Sequence, residues 1–368
     1  MWSSKYSLCY PQNLFSDSDA CANLGTFSLG TPDFLSNNLF NHSIINNTTT
    51  YTTPHQLLLV KRTVESTPRT QTHSFLSYHT LALLSQTVLD LPQTPREPKI
   101  VGSCNGLLCL FDHDIFVYNP AKSELKALPP ASIVDNVCFG FDSKRNEFKV
   151  MRIRYVPIRE PPVLQTDRKL QVLRLNWVAE VYSLNSGCSW RKLINMVDND
   201  DVPCSSTPSW AYANGVCFWC AFNDEKVVAF DVSDEVFQTT TLPDAISLAG
   251  NRFEYGRTFT VLNELVAMIV FPKKEEEETC FDIWVLFEFG DKESWTRLVR
   301  IGGFLGLEKP LGFWKNGELF VENREGELVL CDPFTQRVRN LHVDGVKGSL
   351  QVLYYTQSSV SIEEGNNS

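Results

Sequence analysis

Along Phe281-Asp282-Ile283-Trp284-Val285-Leu286-Phe287-Glu288-Phe289 the odd positions are all apolar, while the even ones mix Asp, Trp, Leu and Glu. Alternation of that period belongs to a β-strand with one face in a core and the other toward a neighbouring sheet or solvent. The same reading predicts short strands over 56–61, 107–111, 115–118, 138–141, 148–154, 179–184, 216–222, 227–231, 258–262, 265–271, 280–289, 319–322, 328–331 and 350–356. Turn residues stand between these runs, which leaves little room for helices. The start of the chain differs. Residues 1–30 are rich in Ser, Asn, Asp and Cys with no helical or alternating period, and read as a poorly ordered leader. A short helix is expected over 31–39, with Thr31 as N-cap and Pro32 at the first helical position, where a missing amide costs nothing. A polar Asn/Thr linker then completes a leader of residues 1–54.

The predicted strands recur in a fixed order. Asn-Gly pairs at Asn105-Gly106, Asn214-Gly215 and Asn316-Gly317 place their glycines 109 and 102 residues apart, each pair between apolar runs. Both residues of such a pair accept the positive φ of a type I′ hairpin, which gives Gly106, Gly215 and Gly317 a structural role. A second strand follows each turn and ends in a small polar corner: Tyr118-Asn119-Pro120, Phe230-Asp231-Val232 and Cys331-Asp332-Pro333. A further short strand closes on Leu128-Pro129-Pro130, Leu242-Pro243-Asp244 and Leu341-His342-Val343. Interleaved with this series, Ser189-Trp190-Arg191-Lys192-Leu193 and Ser294-Trp295-Thr296-Arg297-Leu298 lie 105 residues apart. That offset is about twice the roughly 50-residue period of kelch-type blades, so the chain alternates two blade types. Residues 55–360, at that period, make about six blades of an all-β propeller. Closure of the ring removes exposed edges and pairs a first strand near 57–60 with a last strand near 352–355. Trp190 and Trp295 are expected to wedge between adjacent blades as packing residues. Residues 361–368 read as a disordered tail.

Composition supports this picture. The chain has 24 Phe against 4 Met, which favours strands over helical bundles because rings suit a pleated, half-buried surface. A formal charge of −10 at pH 7 argues against general affinity for nucleic acid or an anionic membrane, both of which attract basic faces. No continuous apolar run approaches 18 residues and the first 25 contain no apolar core of signal type, so neither membrane insertion nor secretion is expected. The location expected is inside the cell, in the cytoplasm, with the nucleus as a second candidate. Eleven cysteines, an odd number, then read as reduced buried thiols.

Candidate chemistry is sparse. Cys217-Phe218-Trp219-Cys220 has the spacing of a redox or zinc pair, but residues three apart on a strand point to opposite faces. Cys104 and Cys109 flank the first Asn-Gly turn, where Cys104 would pair with Leu107 and lie away from Cys109. The six histidines, at 42, 55, 73, 79, 113 and 342, form no grouping of metal-site type. Gly302-Gly303-Phe304-Leu305-Gly306 suggests a phosphate loop, yet no helix pattern follows it, and a flexible blade connection is expected. There is no Gly-x-Ser-x-Gly elbow. No catalytic residue, metal or cofactor is therefore expected, and a propeller enzyme is the lesser reading. Two acidic runs remain, Asp198-Asn199-Asp200-Asp201 and Glu275-Glu276-Glu277-Glu278. Charge runs usually form solvated loops; as a site, Asp198, Asp200, Asp201, Glu275, Glu276, Glu277 and Glu278 would steer a basic protein partner.

The run Gly102-Ser103-Cys104-Asn105-Gly106-Leu107-Leu108-Cys109-Leu110, followed by Tyr118-Asn119-Pro120 and Leu128-Pro129-Pro130, resembles the opening of the plant F-box-associated domain. Phe139-Gly140-Phe141-Asp142, Glu147-Phe148-Lys149-Val150, Glu180-Val181-Tyr182-Ser183-Leu184 and Ser189-Trp190-Arg191 continue the resemblance in order. Ala229-Phe230-Asp231, Phe281-Asp282-Ile283-Trp284 and Trp314-Lys315-Asn316-Gly317 complete it over roughly 55–355, nearest the S-locus F-box-like branch. The resemblance implies a kelch-like propeller that captures a protein, while an F-box docks the Skp-family adaptor of a cullin-RING ubiquitin ligase. Only Asp33-Phe34-Leu35-Ser36-Asn37-Asn38-Leu39 resembles the helix that follows an F-box, so the F-box itself is expected to be missing ahead of Thr31. The function expected is recognition of a protein substrate for ubiquitination, with an interaction scaffold lacking ligase coupling as the alternative.

Overall fold

The computed structural model describes residues 56–66, 69–89, 98–130, 136–157, 175–185, 189–193, 210–221, 226–247, 255–273 and 278–362. The leader, with the helix expected at 31–39, and the end of the tail lie outside them. Gln56–Val64 (β1), Thr70–Ser77 (β2) and Leu83–Val88 (β3) supply the three outer strands of the first blade. The second blade runs outward through Lys99–Cys104 (β4), Leu107–Phe111 (β5), Ile115–Asn119 (β6) and Glu124–Ala127 (β7). Asn136–Asp142 (β8), Glu147–Pro157 (β9), Leu175–Ser183 (β10) and Arg191–Lys192 (β11) form the third. Trp210–Ala213 (β12), Val216–Cys220 (β13), Lys226–Asp231 (β14) and Val236–Thr241 (β15) form the fourth, followed by one helical turn, Asp244–Ser247. The fifth comprises Tyr255–Leu262 (β16), Leu265–Pro272 (β17), Thr279–Leu286 (β18) and Trp295–Phe304 (β19). The sixth comprises Leu307–Phe313 (β20), Leu319–Asn323 (β21), Glu327–Cys331 (β22) and Val338–Asp344 (β23). Gln351–Thr356 (β24) then returns as the inner strand of the first blade, antiparallel to β1 with Leu57 opposite Tyr355 and Val60 opposite Val352.

The result is a six-bladed propeller closed by its first and last strands. Around the axis β24 packs on β4, β4 on β8, β12 on β16, β16 on β20 and β20 on β24, with β8 meeting β13 at the remaining joint. The outer strand of one blade leads to the inner strand of the next, so all inner strands run the same way. One face, the start face, therefore gathers the beginnings of the inner strands and the turns between second and third strands. The opposite hairpin face gathers the other turns. The Asn-Gly pairs fall in the second, fourth and sixth blades and the Ser-Trp pentads in the third and fifth, so the two blade types alternate as the repeats predict.

Six apolar clusters fill the six joints between blades. Successive side chains of a strand feed different joints. Val266, Met268 and Val270 of β17 face the fourth blade, while Ala267 and Ile269 face the sixth. A strand buried on both faces has no polar alternation, which is why many of these runs read as continuously apolar. Trp295 is buried in the joint between fourth and fifth blades with Leu242 and Ile246. Trp190 is half-buried at the joint between second and third blades. Its Nε1 donates to the Pro129 carbonyl at 2.8 Å, and the Arg152 guanidinium lies 3.8 Å from its ring centre.

The first two Asn-Gly pairs make the expected two-residue turns, with φ of 47° and 79° at Asn105-Gly106 and 50° and 84° at Asn214-Gly215. The third does not. Lys315–Gly317 is one turn of 3-10 helix inside a five-residue loop, in which only the glycine, at 77°, has positive φ. The loop widens where the Trp314 indole reaches across to the first blade, its Nε1 donating to the Tyr78 carbonyl at 2.9 Å. The three polar corners cap their turns directly. The Oδ1 atoms of Asn119, Asp231 and Asp332 accept from the amides of Ala121, Ser233 and Phe334 at 3.0, 2.8 and 2.8 Å. The fourth residue after each corner, Ser123, Glu235 or Gln336, then takes φ of 54–56°.

The two hairpin glycines differ in surroundings. A Cβ on Gly106 would stand 2.3 Å from the Thr356 carbonyl oxygen, whereas one on Gly215 would meet nothing within 4 Å. Gly215→Ala should therefore cost only the left-handed backbone penalty, about 1–2 kcal/mol. Gly106→Ala should lose about 1–3 kcal/mol more by forcing β24 aside. Urea denaturation of the two variants measures the gap, and equal losses would contradict the packing described.

Other expectations need correction. β18 stops at Leu286 instead of continuing to Phe289, because the chain turns through Gly290 and a 3-10 turn at Lys292–Ser294 to seat Trp295. The glycine-rich segment is no flexible connection: Gly302 to Phe304 belong to β19, and Leu305-Gly306 turns straight into β20. Ser361 and Ile362, placed in the disordered tail, are held by Glu124, whose Oε2 accepts the Ile362 amide at 2.8 Å, and the Ile362 side chain is buried between second and third blades. Cys217 and Cys220 face different joints as strand geometry requires. Cys104 and Cys109, however, share one joint, because Cys104 lies opposite Leu107 and Leu107 points the same way as Cys109.

Candidate functional site

Closing six inner strands into a ring leaves a cavity of about 560 Å³ on the axis, with the beginnings of β16, β20 and β24 in its wall. Its wall is mainly apolar, with Phe259, Phe271 and Phe313 among the rings that line it. The charged residues on the wall are Arg257, Lys273, Lys309, Arg324 and Lys347 against a single acid, Glu308. They come from the start of β16, the end of β17, the start of β20, the turn after β21 and the connection into β24, all of which reach the start face.

Glu308 accepts from Lys347 Nζ at 2.8 Å. Lys309 lies across the strand pair from Glu322, which is 2% exposed. Burial pushes the Lys309 amine below its ordinary range, against the attraction of Glu322, and burial likewise pushes the Glu322 carboxyl up. Arg324 Nε is buried without a hydrogen-bond partner among the described residues. The Tyr354 hydroxyl donates to the Phe313 carbonyl at 2.6 Å and ties β24 to the sixth blade at the inner end of the cavity. Such a wall is suited to holding an anionic group beside an apolar one.

A match to the F-box associated beta propeller domain covers residues 55–360. The chain belongs to the F-box associated β-propeller family. It is similar to the Arabidopsis thaliana F-box protein At3g07870, at 27% identity over 68% of this chain and 67% of that one. It is also similar to the Arabidopsis thaliana F-box/kelch-repeat protein At3g23880, at 23% identity over 72% and 69%. Among solved structures it aligns with a chain of a nidogen/laminin complex at 11% identity and TM-score 0.42, over 82% of this chain and 99% of that one.

In this F-box associated propeller the residues singled out from sequence do not form the cavity. Asp198, Asp200, Asp201, Glu275, Glu276 and Glu277 lie outside the described residues, and Glu278 is exposed beside Thr279. The strand ends flanking the two acidic runs, Lys192 and Trp210 for one and Pro272 and Thr279 for the other, reach the start face. The cationic wall escaped sequence reading because its members are scattered from 257 to 347 and converge only through ring closure. Arg257, Lys309 and Lys347 share one signal, a basic residue near an inner-strand start, which Lys273 and Arg324 lack.

The hairpin face carries a second polar cluster. At the joint of third and fourth blades, Lys149 Nζ lies 2.7 Å from Asp142 Oδ2 and 2.8 Å from Glu235 Oε1, and Arg191 Nη2 donates to both Glu235 oxygens at 2.7 Å. Burial favours neutral Asp142, but the hydrogen bonds from Lys149 and Arg145 outweigh it and hold the carboxyl well below its usual range. Nearby, the Tyr212 hydroxyl accepts the Phe141 amide at 3.0 Å and the Cys104 thiol at 3.6 Å, which joins three blades. Burial pushes the Cys104 and Cys331 thiols up to about 11 and about 12, so both stay protonated and unreactive near neutral pH.

Proposed function

We propose that this chain is the substrate-recognition module of a Skp-cullin-F-box ubiquitin ligase, binding a protein at the start face so that it can be ubiquitinated. The observation that carries this reading is the family match across 55–360, which spans the whole described ring. The architecture supports it: interblade packing makes a rigid scaffold, and the connections at its rim can vary without disturbing the core. The site supports binding over catalysis, since its cations sit on an apolar wall, and the Cys104 and Cys331 thiols elsewhere in the ring are held protonated by burial. Relatives named as F-box proteins support coupling to the ligase adaptor.

The test is a pull-down with a Skp-family adaptor, using this chain beside a version extended upstream at the gene level. The extended version is expected to retain the adaptor and to build ubiquitin chains on a captured protein when the remaining ligase subunits are supplied. If neither version retained the adaptor, ligase coupling would be excluded and the interaction scaffold would stand in its place.

A further inference from the structure

We propose that the axial cavity takes an acidic segment of the captured polypeptide, with carboxylates on Lys309 and Arg324 and an apolar side chain against Phe259, Phe271 and Phe313. This rests on the reading of the chain as a protein-recognition module, and it names the chemistry recognised.

The charge pattern points inward against the trend of the molecule. A chain of net charge −10 lines its central cavity with five basic residues and one acid. That acid, Glu308, is already matched to Lys347. The Lys309 ammonium makes no hydrogen bond among the described residues; burial strips much of its water and disfavours its charge, against the attraction of Glu322 across the strand pair. Arg324 leaves a buried donor unused. Buried donors are costly until paired, and a carboxylate entering the cavity would supply the partner to Arg324 and add a hydrogen-bonding acid to Lys309, which has only the attraction of Glu322.

Size and wall chemistry narrow the ligand. About 560 Å³ lies within the range of pockets that enclose a few side chains, and excludes a folded domain. A bare inorganic anion would leave the three rings facing water, whereas a peptide that places an apolar side chain among its acids covers them.

The experiment uses the full chain and a fluorescein-labelled octapeptide of glutamates around a central phenylalanine, read by fluorescence anisotropy. A counterpart with lysine in place of glutamate and inorganic phosphate serve as controls. The acidic peptide is expected to bind, the lysine peptide not, and Lys309→Met to weaken binding by about tenfold or more. Because that variant leaves buried Glu322 without its neighbouring cation, Arg324→Gln serves as a second variant with the same expected loss, and melting curves check that both are folded. No binding of the acidic peptide, or equal binding by parent and both folded variants, overturns the proposal. Phosphate binding that depends on Lys309 without peptide binding overturns it in favour of a small-anion site. Adaptor retention is independent of these titrations, so a failed peptide titration with the adaptor retained removes this proposal alone. Lost adaptor retention with peptide binding intact removes only ligase coupling.

Discussion

A chain ending at residue 348 is expected to lose cooperative folding altogether. The segment removed contains β24, the whole inner strand of the first blade, with six residues paired to β1. Leu350 and Tyr355, 0% and 2% exposed, leave the joints on either side of that blade. Gln351 also ties the first blade to the second, its amide accepting the Ile100 N–H and donating to the Ile100 carbonyl, both at 2.9 Å. Without these, β1 becomes an exposed apolar edge on the axis, and the ring opens beside it. A strand and two joints together outweigh the roughly 5–15 kcal/mol that separates a folded domain from its unfolded state. Circular dichroism should show no sharp thermal transition. A soluble truncated chain that melts like the parent would refute closure.

Lys149→Met should cost about 3–5 kcal/mol, because it removes the buried cation that Asp142 and Glu235 share and leaves them only the more exposed Arg145 and Arg191. The Lys149 and Asp142 side chains are 2% and 0% exposed, and the same ammonium reaches Glu235 in the next blade. Met fills similar space, so the loss reads the charge and not a cavity. The pH dependence follows from the carboxylates. Asp142 and Glu235 both have folded-state pKa values depressed below their ordinary ones, against the opposing effect of burial. Their contribution to stability is full above the unfolded pKa near 4 and fades as pH falls through the folded values. The difference between parent and variant in urea denaturation should thus be largest at neutral pH and shrink in acid. A gap that is constant with pH would show that packing, not charge, is what Lys149 supplies.

Much of the architecture was legible from local signals. The Asn-Gly pairs at 105–106 and 214–215 announced hairpins because positive φ at two successive positions has few other sequence solutions. The paired Ser-Trp pentads marked the outer strands of alternate blades, one spanning the start of β19 and the other the whole of β11. Strands such as β5 and β14 stood out as dense apolar runs. By contrast β2, with Gln71, Thr72, His73 and Ser74 all buried, looks too polar for a strand interior, and it was missed. β3 was missed for the opposite reason: it is an exposed outer strand, with Leu83, Leu84 and Val88 each about 60% exposed, and shows no buried face to betray it. Asn316-Gly317 misled because the Trp314 tether, 236 residues distant in sequence from its acceptor, reshapes the loop.

Sequence alone determined the repeat, the alternation of blade types and the number of blades, because each depends on turn chemistry and apolar periodicity within a few residues; the pairing of first strand with last followed from that count, because closing the ring removes exposed edges. Only the tertiary structure decided where charge accumulates. Arg257 and Lys309 are unremarkable in their own strands, as Arg324 is in its turn, and they become a site when the ring brings them round one axis and burial strips water from Lys309. Electrostatic character depends on through-space distance and solvent exclusion, and neither is written in the order of residues along a chain.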